Sequence, residues 1–309
     1  MATQYYYDVK SDEVHIAVEE YRREEARRCL REFSPDVYQI VAPWHSSYQS
    51  GCDSPIEEKG GQQIQMELYP GHRIHKTGSR RCVLFSGSII NREHGITVAH
   101  AIDPEDDIEI QCESDTAALA HERIIGKCRE TFENLQRQSG GKVTADLALL
   151  ELDTDRCSVG NTVRWPWPGP SRALQIKICK EQRIPDDTRV IILCQNGNFQ
   201  SGCIRRESLT DVTIQRYDGG LCDVLGIGLS EEEEVAVTQE GDSGALVMSL
   251  PNSETDVIYV YGIAIGRYRT GNEKSLTIAN SLWKVIHEIS TNENYSAALS
   301  GVTQNIDFA

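Results

Sequence analysis

A chain of 309 residues is long enough for one large domain or two cores, and its 39% hydrophobic and 25% charged content is that of a packed protein rather than a disordered one. Its 31 basic residues against 47 acidic ones give a net charge of −16, which opposes binding to nucleic-acid phosphates or to anionic membrane surfaces. No stretch approaches the roughly 18 apolar residues of a membrane span, and MATQYYYDVKSDEV lacks the basic-then-apolar order of a secretory signal, so a cytoplasmic or nuclear protein is expected.

Residues 11–33, SDEVHIAVEEYRREEARRCLREF, open on Ser11, carry acids early and bases late, and stop before Ser34-Pro35. This pattern predicts a helix over about 12–33 within an N-terminal extension spanning 1–77. The rest of that extension, with SSYQSGCDSP and EKGGQQ, reads as loops. Whether the helix docks a partner, regulates the chain or packs on its remainder is left open.

From Arg81 the sequence changes to short apolar and β-branched runs: CVLFSGSII, GITVAHAI, IEIQCE, KVTADLALLEL and NTVRW. These predict strands at barrel-like intervals, giving a first β unit at about 78–160. The prolines of WPWPGPS remove backbone donors and mark a linker at 161–172. A second β set follows over about 173–290, with ALQIKIC, RVIILC, ALVMSL and VIYVYGIAIGRY, and Asn196-Gly197 signals a hairpin. In NSLWKVIHEIS, Leu282, Val285, Ile286 and Ile289 share one helical face, predicting a C-terminal helix before a tail at 291–309. The ten cysteines form no CxxC pair or zinc-spaced Cys/His cluster, so most are expected to be buried apolar groups, with no metal and no organic cofactor.

The chemistry centres on TQEGDSGALVM, residues 238–248. A serine hydroxyl is a weak nucleophile unless a base takes its proton and a third group orients that base. TVAHAI supplies His100 at the end of one apolar run, and TADLALLELD supplies Asp146 at the head of another. His94, in NREHGI, is a rival base expected in a hairpin turn. Asp153 and Asp155 are rival acids expected in a loop, and Glu231 to Glu234 read as a solvated loop.

With GDSGA, TVAH and DLALL in the order His, Asp, Ser, the sequence resembles the chymotrypsin/trypsin-fold serine peptidases over about residues 80–290. The resemblance implies an all-β core of two six-stranded antiparallel β-barrels, here with the N-terminal helical extension and the C-terminal helix. It implies that Ser243 attacks the scissile carbonyl, that His100 is general base and then acid, and that Asp146 orients His100. It assigns the oxyanion hole to the N–H groups of Gly241 and Ser243, and the primary pocket to Val237, Gly266 and Arg267. Val237, six residues before the serine, is an apolar base that does not suit Lys or Arg, while Arg267 narrows the pocket or favours an acidic side chain. The implied activity is a serine endopeptidase acting on a protein or peptide; the alternative is an inactive or latent peptidase-fold binding module.

Two departures matter. Ala101 and Gln239 stand where secreted members carry cysteines, which removes those bridges. There is also no basic residue followed by an Ile-Val-Gly-Gly-like segment ahead of the first β unit, so either Asp242 has a partner other than a newly cut N-terminus or the oxyanion loop is ordered only on binding; a constitutively folded site is expected over proteolytic activation.

Overall fold

The computed structural model describes residues 4–8, 13–17, 27–28, 38–41, 66–91, 93–111, 124–137, 140–160, 162–165, 172–180, 184–195, 199–205, 224–228, 236–251, 255–269 and 275–292. At the N-terminus, β1 (Gln4–Asp8) pairs antiparallel with β2 (Glu13–Ala17), which pairs in parallel with β3 (Tyr38–Val41). The helix expected over 12–33 is therefore corrected at its start: residues 13–17 are strand, and helical conformation is described at Arg27 and Arg28. The period-two β-branched residues Val14 and Ile16, opposite a Tyr-rich segment, favour a ladder over the helix that the charges alone suggest.

The first large sheet contains β5 (Arg73–Lys76), β6 (Val83–Leu84), β7 (Gly87–Asn91), β8 (His94–Thr97), β9 (Asp107–Ile110), β10 (Ile124–Gln136) and β11 (Lys142–Leu152). Its order is β6-β5-β9-β10-β11-β8-β7, and it begins before residue 78. Both of its edges lie on one continuous run, 83–91. Phe85 N–H donates to His72 O at 2.8 Å, and Ser86 N–H donates to Ile96 O at 2.9 Å. A single bent strand thus grips β5 on one side and β8 on the other, and the sheet curls round an interior holding Phe85, Ile96, Leu147 and Leu149. A short parallel pair, β4 (Met66–Leu68) with β12 (Cys157–Val159), flanks it.

In the second sheet, β18 (Leu246–Ser249), β15 (Arg189–Leu193), β16 (Phe199–Ile204), β17 (Val224–Gly228) and β20 (Ser275–Ser281) follow β19 (Val257–Arg269), and β20 pairs back with β19 to close a six-strand antiparallel barrel. The hairpin of β13 (Thr162–Trp165) and β14 (Arg172–Ile178) joins it through a parallel β14–β19 pairing. Residues 162–165 of the expected linker are therefore strand, ending where Pro166 removes a donor. Asn196-Gly197 lies outside the described residues, but β15 and β16 on either side pair antiparallel, as a hairpin requires.

The continuous apolar run RVIIL has a clear cause. Val190 and Ile192 pack in a cluster with Ile227, Val247 and Ala279, while Ile191 and Leu193 pack in a larger one with residues of the first sheet. A strand buried on both faces has no polar alternation to show. The helix α1 (Leu282–Thr291) buries Leu282, Val285, Ile286 and Ile289 against the larger cluster, each such side chain contributing roughly 1.5–3 kcal/mol. Cys128, Cys157, Cys194 and Cys203 are buried free thiols.

One buried group makes stability depend on pH. Tyr69 N–H donates to His72 Nδ1 at 3.2 Å, which requires that nitrogen to be unprotonated. Burial lowers the His72 pKa from 6.5 to about 4, against a smaller opposing effect of Glu67. The unfolded chain therefore takes up this proton first as pH falls. The stability from the neutral ring is full above pH 6.5 and is lost as pH drops toward 4, by up to about 3 kcal/mol. Urea titrations across that window are expected to show the loss, and His72→Gln is expected to flatten it.

Candidate active site

The pairing of β8 with β11 sets Thr97 opposite Ala148. Beyond Thr97 the chain enters a single 3₁₀ turn, Ala99–Ala101, so continuing that register places Asp146 beside the turn that carries His100. The Asp146 carboxylate is fully buried. Its Oδ1 accepts His100 N–H at 2.8 Å, and its Oδ2 lies 2.8 Å from His100 Nδ1. One carboxylate thus holds both the backbone and the ring of the same histidine. A carboxylate can only accept, so Nδ1 carries the proton and Nε2 is left as the basic nitrogen.

The turn bearing Ser243 is closed by Asp242 N–H to Gln239 O at 3.2 Å and Ala245 N–H to Asp242 O at 3.0 Å. Gly241 and Gly244 adopt φ +92° and +95°, where side chains are strained. A Cβ at Gly244 would also stand 2.1 Å from Leu84 O. Two independent reasons therefore require the glycine after Ser243.

Asp242, whose usual partner is missing from the sequence, is buried but not unpaired. Its Oδ1 accepts Gln195 N–H at 2.9 Å and its Oδ2 accepts Gln239 N–H at 2.8 Å. Charge-assisted bonds of this kind offset the desolvation of a buried carboxylate. The Cys194 thiol is pushed up by burial and then by the Asp242 charge. Gln195 Nε2 also donates to Glu240 O at 3.4 Å. The turn is therefore braced by Gln195. Among the described residues, no hydrogen bond is donated by the N–H groups of Gly241 and Ser243.

Ser243 and Gly244 are also tied across to the first sheet. Leu84 N–H donates to Ser243 O at 2.7 Å, and Ser86 Oγ donates to Gly244 O at 2.7 Å. Among the described residues no hydrogen bond joins Ser243 to His100. His100 and Asp146 are in direct contact, and Ser243 reaches their sheet through Leu84.

The pocket candidates lie on two segments that each meet Thr277. The N–H groups of Val237 and Thr238 both donate to Thr277 Oγ1, at 3.0 Å each, and the two threonine hydroxyls are 2.9 Å apart. Gly266 and Arg267 lie on β19, where Arg267 pairs with Thr277 and is exposed. Thr277 therefore connects the segment leading to Ser243 with the strand carrying Arg267. Its part was missed in the sequence because LTIAN reads only as an apolar strand.

The rivals occupy other places. His94 is corrected from a turn residue to the first residue of β8, buried, with its Nε2 3.1 Å from an Arg129 nitrogen. Burial first, and Arg129 second, hold its pKa below the usual histidine value. Asp153 caps its own turn, accepting Asp155 N–H at 3.1 Å and pairing with Arg156 at 3.1 Å. Residues 231–234 lie outside the described residues.

No protein-family model matches the sequence, and no curated protein matches it. Solved structures similar to the chain include Thermobifida fusca protease A, at 12% identity and a TM-score of 0.45, and Nocardiopsis protease, at 14% and 0.44. Cellulomonas bogoriensis chymotrypsin gives 14% identity and a TM-score of 0.43, and each comparison covers 72% of this chain and 95% of the other. Likenesses of that size say nothing about activity or specificity. The architecture rests on the chain's own strand order: two antiparallel β units, the second a closed six-strand barrel, followed by a C-terminal helix, which is the trypsin-like fold.

Proposed function

We propose that this chain is a serine endopeptidase that hydrolyses peptide bonds through an acyl-enzyme. The observation that carries the reading is the His100–Asp146 pair, in which one carboxylate oxygen holds the His100 backbone N–H and the other its imidazole, on the sheet to which the Ser243 turn is bonded. In the proposed reaction His100 Nε2 takes the Ser243 hydroxyl proton as Oγ attacks the scissile carbonyl. The carbonyl π electrons move to oxygen, and the Gly241 and Ser243 N–H groups receive that charge. Collapse of the adduct expels the amine, which takes the proton from His100, and leaves an ester on Ser243. Water, deprotonated by His100, then attacks the ester, and Ser243 regains its proton as the acid product leaves. Asp146 stabilises the imidazolium at both stages without itself being protonated.

Val237, Gly266 and Arg267 are proposed to form the primary pocket. An apolar residue at 237 supplies no counter-charge for Lys or Arg, so cleavage is expected after non-basic residues. Digestion of a peptide library, read by mass spectrometry, checks both levels of the reading. Cleavage after non-basic residues supports them. Preferred cleavage after Lys or Arg overturns the pocket assignment, and no cleavage by folded protein favours a binding module of the same fold.

A further inference from the structure

Leu84 lies on the first sheet but belongs to the second barrel's interior: its side chain is fully buried in the cluster with Val190, Ile192, Val247 and Ala264. Its backbone is used on both sides. Leu84 N–H donates to Ser243 O at 2.7 Å, and Leu84 O accepts the Thr97 hydroxyl at 2.8 Å. Two residues on, Ser86 donates its backbone N–H to Ile96 O at 2.9 Å and its hydroxyl to Gly244 O at 2.7 Å. Thr97 and Ser86 are both fully buried. The run 84–86 therefore binds the end of β8, three residues before His100, and the turn around Ser243 at the same time.

We infer that this run sets the separation between base and nucleophile, with the Thr97 and Ser86 hydroxyls as positioning residues. The inference rests on the acyl-transfer reading above. His100 and Asp146 come from one β unit and Ser243 from the other, so the His–Asp contact cannot fix the serine's place. Among the described residues, no direct hydrogen bond joins Ser243 to His100. The bridge from β8 through Thr97 and Leu84 to Ser243 supplies that registration, and a second bridge runs from β8 through Ser86 to Gly244. Both hydroxyls donate to main-chain carbonyls of the bridge or the turn, so their removal leaves a buried acceptor without its donor and frees one β unit to shift against the other. A displacement of about 1 Å at reacting atoms can cost on the order of 100-fold in rate.

The test uses the full chain and a fluorophosphonate probe, measuring the saturating labelling rate and the half-saturating probe concentration separately. Thr97→Val and Ser86→Ala are each expected to lower the saturating rate by about ten-fold or more, with half-saturation little changed. Thr97→Ser, which keeps the hydroxyl, is expected to restore the rate to within about two-fold. The double variant is expected to lose much less than the product of the single losses, because both changes loosen one registration, whereas two independent defects would multiply. Should one variant fail to fold, the other decides the matter by the same readout. Wild-type labelling rates in folded Thr97→Val or Ser86→Ala, or fully multiplicative losses, overturn the inference while leaving the nucleophile assignment intact. Absence of labelling in the unaltered protein instead overturns the acyl-transfer reading, and this inference with it.

Discussion

Ser243→Ala is expected to abolish peptide hydrolysis, with a loss on the order of 10⁶-fold in kcat, and His100→Ala is expected to cost about as much. The similarity is itself informative. The hydroxyl is nucleophilic only while its proton has an acceptor, so removing either partner removes the same step. The double variant is accordingly expected to be no worse than either single one, as measured by steady-state hydrolysis of a peptide cleaved by the unaltered protein. Binding of that peptide is expected to survive in Ser243→Ala, since the bond from Leu84 N–H is made to the main-chain carbonyl of residue 243, which alanine keeps.

Asp146→Asn is the second large effect, expected to lower kcat by about 10⁴-fold. Asp146 uses its two oxygens on two donors of one residue, the His100 backbone N–H and the His100 ring. An asparagine has one oxygen and one NH₂ group. If its oxygen stays on the backbone N–H, the NH₂ faces Nδ1 and demands an unprotonated nitrogen there, which moves the ring proton to Nε2 and removes the base. If it flips, the backbone contact is lost and the NH₂ faces another N–H. The same steady-state assay measures the loss. An activity near that of the unaltered protein would show that His100 is not oriented as its contacts indicate.

The His100–Asp146 pair was legible. The Asp146 carboxylate lies 2.8 Å from the His100 ring because TVAH ends one strand and DLALL runs along its neighbour, and those strands are visible as short apolar and β-branched runs. The helix at Leu282–Thr291 was equally plain, since its buried residues recur at helical spacing. Contacts made by backbone atoms were not legible. Asp242 finds its donors at Gln195 and Gln239 through main-chain N–H groups that any non-proline residue would offer, so no residue type announces the partner. The bond from Leu84 N–H to the carbonyl of Ser243 is hidden for the same reason. At residues 13–17 the charge pattern of a helix competed with the alternation of Val14 and Ile16, and long-range pairing with β1 and β3 favoured the strand.

On the proposed reading, this arrangement supports a nucleophile turn ordered without a proteolytic trigger. A buried carboxylate beside the serine is costly unless donors surround it, and here they are the N–H groups of Gln195 and Gln239 of the same chain. The braced carboxylate holds the turn in which Gly241 takes its left-handed conformation. Donors fixed in advance need not reorganise when charge develops, which is the source of their effect on rate.

The central claim is that Ser243 is a nucleophile activated by His100. Its most direct test is to treat the folded protein with a fluorophosphonate probe and locate the adduct by peptide mass spectrometry, alongside Ser243→Ala and His100→Ala. A single adduct on Ser243 in the unaltered protein, and none in either variant, is expected. Labelling on another residue, labelling of Ser243 that persists without His100, or no labelling of the folded unaltered protein would contradict it.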